Sequence, residues 1–189
     1  MEHRIKFLVG IALLTTMACI KIGAGQPPPP PPCPIESLLL DESFFHPDIH
    51  QTGPPSRDGA PMRFGVNRIG VGFTSMTQGG ASQHVYQGRS VKEAQKKFAE
   101  EVEWEFSARE GWTEWYVPAT FNYQSFVADQ IRFSCYRHKA SGVETCQAFG
   151  QYDMYLIELS ADISSILTYQ DLERMVQAID SKVAQCLAE

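Results

Sequence analysis

Long apolar segments, clustered basic residues and known catalytic motifs are all scarce in this sequence. The longest mainly apolar run, from Phe7 to Ala18, has 12 residues, whereas a helix that crosses the hydrocarbon core needs roughly 20. A spanning anchor is therefore disfavoured, although a run counted from Ile5 to Ile22 keeps it open as an alternative. No segment has the spacing of a phosphate-binding loop, a dinucleotide fingerprint or a nucleophile elbow.

The sequence also has fewer basic than acidic residues. The 16 Lys and Arg side chains are outnumbered by 22 Asp and Glu side chains, which gives a net charge of −6. Because nucleic-acid binding depends on grouped Lys and Arg that neutralise phosphates, an acidic chain without such a group excludes nucleic acid as a partner. No cofactor-binding motif is present, so the sequence implies no cofactor.

The chain begins with a pattern that is typical of export. Arg4 and Lys6 precede the apolar run, and a charged start followed by a short apolar stretch indicates a secretory signal peptide. The run ends in the sequence Leu-Thr-Thr-Met-Ala-Cys. The small residue Ala18 directly before Cys19 resembles the lipobox of bacterial lipoproteins.

The resemblance to bacterial lipoproteins implies that the signal is cut before Cys19 and that this thiol is acylated, with palmitate among the expected chains. It makes the lipid bilayer the partner of the anchor and places the protein on the outer face of a bacterial membrane. Cleavage near Gly23–Gly25, which would release a secreted or periplasmic soluble protein, stays open as the alternative.

A proline-rich segment follows the signal. Six consecutive prolines, Pro27–Pro32, favour polyproline II, a stiff spacer of roughly 3.1 Å per residue, and therefore a stalk of about 20 Å. We divide the chain into a signal peptide (1–18), a lipidated Cys19 with its stalk (19–34) and one globular domain (35–189).

The chain has five cysteines, and their parity agrees with lipidation of Cys19. Four cysteines then remain for two disulfides, which an exported protein can keep oxidised. Cys135 and Cys146 flank a hairpin and are expected to pair across it, since directly opposed strand residues come close enough. Cys33 would pair with Cys186 by elimination.

Two amphipathic helices are well signalled. Ser90 with Glu93, and Thr168 with Asp171, have the spacing of a capping box, and apolar residues follow each at helical intervals. Period-two alternation predicts strands. These expected strands are 66–74, 83–87, 113–117, 123–136, 143–150 and 154–159. The order predicts an α+β fold, with an antiparallel sheet of about five to six strands and both helices on one face.

The best binding signal is aromatic. Trp104, Trp112, Trp115 and Tyr116 gather around the first helix and the segment after it. Exposed aromatics of this kind can bind a sugar or a peptide, although core packing is the commoner use.

Candidates for metal binding and catalysis are weaker. His46, Asp48 and His50 have suitable donor atoms, but no further ligand is evident nearby, so we assign no metal and regard the segment as a polar loop. No catalytic residue is assigned either.

The leading functional hypothesis is a non-catalytic binding or interaction module of the cell envelope, with a protein, peptide or glycan as its ligand. The first alternative is a small extracytoplasmic hydrolase in which the fold joins His84 or His50 to Asp129 or Glu158. A structural subunit of an envelope complex is the second alternative.

Overall fold

A six-stranded antiparallel sheet organises the part of the protein that the structure describes. The structure is a computed structural model, and the described residues are 34–58, 62, 64–76 and 79–188. The strands are β1 (His50–Gln51), β2 (Asn67–Thr74), β3 (Gly80–Gln87), β4 (Gln130–Arg137), β5 (Glu144–Tyr152) and β6 (Tyr155–Ile163). Their order across the sheet is β1-β2-β3-β6-β5-β4, with every neighbouring pair antiparallel. The signal peptide, Cys19, Cys33 and the proline stalk lie outside the described residues.

The two predicted helices form where their capping residues indicate. Helix α1 covers Val91–Glu105, and the Ser90 hydroxyl accepts a hydrogen bond from the Glu93 amide. Helix α2 covers Tyr169–Ala188, and the Thr168 amide donates to the Asp171 carboxylate at 2.7 Å. Neither helix has the length and apolar character needed to cross a bilayer.

The α+β class and the antiparallel sheet are confirmed, but the helices lie on opposite faces of the sheet rather than on one. On β6, Ile157 belongs to the core beneath α2, whereas its neighbour Leu156 belongs to a separate core beneath α1. Successive strand residues point to opposite faces, so the two cores are on opposite sides. Eight of the nine residues of β5 are buried, because both faces of that strand are covered.

The strand boundaries differ from the sequence predictions at two places. The long strand expected over 123–136 begins only at Gln130, and the residues before it form an irregular segment. The strand expected over 113–117 is reduced to isolated bridges that join Trp112 to His138 and Tyr116 to Cys135. The sequence did not predict the edge strand β1, because a strand of two residues is too short to show alternation.

Disulfides and a buried glutamine link separate segments of the domain. Cys135 and Cys146 are directly opposed in the β4–β5 register and form the predicted disulfide. Cys186 is also disulfide-bonded, and its expected partner Cys33 lies outside the described residues. The buried Gln83 side chain accepts from the Leu40 amide at 2.6 Å and donates to the Leu38 carbonyl at 3.0 Å, which fastens the first described segment to β3.

A buried carboxylate lies in the core beneath α2. Asp180, on α2, is 3% exposed. The Tyr152 hydroxyl donates to Asp180 Oδ1 at 2.8 Å, and the Tyr123 hydroxyl donates to Oδ2. Burial raises the pKa of Tyr152, and the charge of Asp180 raises it further, so Tyr152 stays a hydrogen-bond donor over the whole physiological range.

We expect Tyr152→Phe to lower the free energy of unfolding by about 1–3 kcal/mol, because it removes a donor from a buried carboxylate. Urea unfolding followed by circular dichroism measures the loss. The same substitution should lower the free energy of unfolding by less in an Asp180→Asn background, where no buried charge remains. Equal losses in the two backgrounds would contradict this account of the contact.

Candidate functional site

A row of three residues crosses three neighbouring strands on the face that α1 covers. Antiparallel register places Gly70 of β2 opposite His84 of β3, and His84 opposite Glu158 of β6. The imidazole lies over the glycine, since a Cβ on Gly70 would be 2.4 Å from His84 Cδ2. His84 Nδ1 is 3.7 Å from Glu158 Oε2.

Burial sets the protonation of the His84–Glu158 pair. The side chains are only 15% and 13% exposed. Burial raises the pKa of Glu158 to about 7, and the charges of Glu105 and Glu101 add to this effect. Burial also lowers the pKa of His84. Because both shifts favour the uncharged forms, the pair is not a strong ion pair near neutral pH despite its short separation.

Two glutamates of α1 surround Glu158. Glu101 and Glu105 are one helical turn apart and therefore share a face. Each has its own cation, because Lys97 Nζ contacts Glu101 and Arg109 Nη2 is 2.8 Å from Glu105 Oε2. Glu158 has no such Lys or Arg partner among the described residues, which makes it the least compensated of the three carboxyl groups.

The three glutamates line a small cavity between α1 and the sheet, with a volume of about 130 Å³. Its other lining residues are Met62, Trp104 and Phe149. Trp104 is 64% exposed, so one wall of the cavity is an indole that solvent reaches. The arrangement can hold one apolar ring or a short side chain beside groups that accept or donate hydrogen bonds.

The three tryptophans form one connected group, in which Arg109 lies between Trp104 and Trp112. The guanidinium carbon of Arg109 is 4.6 Å from the ring centres of both Trp104 and Trp112. Trp112 stacks on Tyr136 of β4 with a centroid distance of 3.9 Å, and Trp115 meets both rings edge-on. We call Trp104, Trp112, Trp115 and Arg109 the tryptophan cluster. Trp104 belongs to both this cluster and the cavity, so the two form one continuous surface.

Tyr116 does not join the tryptophan cluster. Its hydroxyl is hydrogen-bonded to Glu144, which also accepts from Tyr169 at the start of α2. Glu144 is two residues before the buried Cys146 on β5, so the two side chains point to the same face of the sheet. This is the face that α2 covers. The predicted four-residue aromatic face is therefore divided between the two faces of the sheet.

The other candidates occupy separate places. His46 Nδ1 is 3.6 Å from Asp48 Oδ2, and His50 lies on the exposed edge strand β1. Within the described ranges, the group of His, Cys, Asp and Glu side chains close enough to share an ion is Cys135, Glu144 and Cys146, and both cysteines are in the disulfide. Asp129 accepts from Gln151 and from the Asp153 amide, which is a structural role.

Sequence reasoning missed Glu101, Glu105 and Gln147 as parts of the site. Gln147 donates to Glu105 at 3.3 Å, and its Oε1 is buried without a hydrogen-bond partner among the described residues. The four-residue spacing of Glu101 and Glu105 indicates from the sequence that both side chains share one face of α1. The structure was needed to show that α1 lies over β6.

No family model and no curated protein matches this chain. Among solved structures the chain is similar to the extracellular domain of PknH from Mycobacterium tuberculosis. The two share 13% sequence identity with a TM-score of 0.54, over 82% of this chain and 95% of that chain. At this level of identity the likeness shows the fold alone.

We expect Glu158→Gln to change how stability depends on pH. The pKa of Glu158 is about 7 in the folded protein against 4.5 for a free group, so between these values the folded state binds more protons than the unfolded state. The wild-type free energy of unfolding should therefore fall by about 3 kcal/mol relative to the variant as pH rises from about 4.5 to 7.

Urea unfolding at several pH values measures this difference, and the contribution of titrating groups that do not interact with Glu158 cancels in the comparison. Glu103→Gln, an exposed position on the same helix, is the matched control and should run parallel to wild type. Parallel curves for Glu158→Gln would show that the Glu158 pKa is not raised.

Proposed function

We propose that this chain is an exported binding module of a bacterial cell envelope that holds a glycan or peptide ligand against the tryptophan cluster and the adjoining cavity. The observation that carries the proposal is that Trp104, which is mostly exposed, both lines the cavity and stacks on Arg109, which in turn stacks on Trp112. Indole faces of this kind bind sugars and peptide side chains by stacking and by apolar burial.

Three features support an extracytoplasmic location. The N-terminal sequence has the pattern of a secretory signal, with a lipobox-like end at Cys19. A disulfide joins Cys135 to Cys146, which is typical of an oxidising compartment. The fold is similar to a domain described as extracellular. We propose that Cys19 carries the lipid anchor and that the proline segment separates the domain from the bilayer.

The site would hold its ligand in two parts. A ring or an apolar side chain would enter the cavity between Trp104 and Phe149, where Glu158 can donate a hydrogen bond when protonated and accept one when ionised. Polar groups of the ligand would meet Arg109, which is already stacked and oriented by the two indoles. Preorganised aromatic and guanidinium groups lose little conformational freedom on binding.

Trp104→Ala should weaken ligand binding by about tenfold or more, because truncation of a central aromatic anchor commonly costs at least 2 kcal/mol. The ligand is first identified by native mass spectrometry of the full chain extracted from its own membranes. Calorimetric titration with that ligand, or with oligosaccharides and peptides released from the envelope, then compares the variants. Phe126→Ala is the matched control, since Phe126 is exposed and lies outside the cluster. Unchanged affinity in Trp104→Ala would refute the proposed site.

Denatured mass spectrometry of the same extract, without reductant, tests the anchor. A chain that starts at Cys19, carries acyl groups and is about four hydrogens lighter than its reduced form is the expected result, because two disulfides remove four hydrogens. A chain without lipid that starts after Gly25, or one that retains Met1, would contradict the lipoprotein assignment. The binding proposal would remain, because it depends on the domain alone.

A second candidate function is hydrolysis, and the His84–Glu158 contact favours it specifically. A carboxyl group with a pKa of about 7 can exchange protons at neutral pH, and His84 Nδ1 is buried without a hydrogen-bond partner among the described residues. Glu158→Gln separates the two functions, since a hydrolase would lose turnover while the stacking surface of a binding module would be retained.

A further inference from the structure

A second concave surface lies on the same face of the sheet, between the N-terminal half of α1 and β2. This groove has a volume of about 920 Å³. Its basic lining residues are Arg57, Arg68, Arg89, Lys96 and Lys97, and its acidic ones are Asp58, Glu93 and Glu100. Two of the five cations are paired with carboxylates outside this lining, Arg57 with Glu36 and Lys97 with Glu101, in a chain whose net charge is −6.

Glycine shapes the floor of the groove. Gly65 has a φ of +66°, in the left-handed region that favours glycine. A Cβ at this position would be 1.7 Å from the Gln87 carbonyl oxygen. The backbone at Gly65 therefore lies directly against the end of β3, in a position that only glycine can occupy.

Arg68 is the best-placed cation of the groove. It is half-buried on β2, opposite Tyr86 in the register, and therefore on the α1 face. Its Nε donates to the Arg57 carbonyl at 3.1 Å, which fixes the guanidinium. Arg68 makes no ion pair with any described residue, so its two amino groups are not engaged by a carboxylate there. A partly buried cation without an ion-pair partner is stabilised when an anion binds beside it.

Other cations of the groove can change partners at little cost. Arg89 is 3.7 Å from Glu93, and Lys96 is 3.7 Å from Glu100, with cation side chains that are 70% and 80% exposed. Exposed pairs of this kind contribute little to stability. An incoming anion can therefore recruit these two side chains without breaking a buried interaction.

We propose that this groove binds a phosphate group, held by Arg68 and supported by Arg89 and Lys96. A phosphate group is negatively charged near neutral pH, with about −1.5 to −2 charges on a monoester, and it offers several oxygens that Arg68, Arg89 and Lys96 can bind together. Arginine forks bind phosphate oxygens in pairs with defined geometry. The phosphate belongs either to a soluble envelope compound or to a lipid headgroup.

Equilibrium dialysis of the full chain in a non-ionic detergent, with radiolabelled inorganic pyrophosphate as the probe, tests the proposal. We expect saturable binding that weakens as salt is added. Arg68→Gln should weaken it by about tenfold, because it removes charge-assisted hydrogen bonds. Lys96→Gln, at an exposed position that does not affect folding, should give a smaller loss in the same direction.

Lys139→Gln is the matched control, because it removes one positive charge from an exposed turn outside the groove. It should change the affinity by less than about twofold, since exposed charges farther apart than a Debye length are screened. No saturable binding, or equal losses in Arg68→Gln and Lys139→Gln, would overturn the proposal. Neither result would bear on the tryptophan cluster.

Short-chain phosphatidylglycerol distinguishes the two sources of phosphate once pyrophosphate binding is established. Displacement of pyrophosphate by phosphatidylglycerol, but not by phosphatidylcholine, would assign the groove to an anionic lipid headgroup. No displacement by either lipid would assign it to a soluble phosphate compound. Equal displacement by both lipids would overturn a site selective for an anionic phosphate, because the phosphate of phosphatidylcholine is neutralised by its own choline group.

Discussion

The alignment of Gly70, His84 and Glu158 across three strands is the constraint on which the α1 face depends. Antiparallel pairing brings the imidazole and the carboxyl together, and the absence of a side chain on Gly70 leaves room for the ring. Burial of this pair on the α1 face is tolerable because it moves both groups towards their uncharged forms. The glutamates of α1 that approach the pair are compensated by their own cations, so the helix can lie close without adding two free negative charges.

Local signals predicted local structure well. The capping boxes at Ser90 and Thr168 marked both helix starts, because a side chain that satisfies a free amide acts within three residues. The hairpin disulfide followed for a similar reason, since two cysteines on adjacent strands need only a short turn to oppose each other. Alternation identified most of the sheet, and with the two helices it led to the α+β class.

Placement of the helices could not be read from the same signals. A single buried face produces alternation, whereas a strand covered on both sides is buried at consecutive positions. Strand β5 is buried in this way although it contains the polar residues Gln147 and Gln151, so its sequence does not show the apolar run that would indicate two covered faces. Consecutive burial of Ala148 and Phe149 is the clearest case, since they belong to different cores.

The approach of His84 to Glu158, and the stacking of Trp112 on Tyr136, join segments far apart in the chain. Only the completed register brings them together.

Helix α1 separates two surfaces of different charge, and Lys97 connects them. Lys97 lines the basic groove and contacts Glu101, which lines the cavity beside Glu158. The charge of Glu101 is one of the causes that raise the Glu158 pKa. An anion in the groove that drew Lys97 away would leave Glu101 less compensated, and the neutral form of Glu158 would become still more favourable. Occupancy of the groove would therefore strengthen Glu158 as a hydrogen-bond donor in the cavity. Since binding effects between two sites are reciprocal, a cavity ligand that accepts a hydrogen bond from protonated Glu158 would in turn favour the anion.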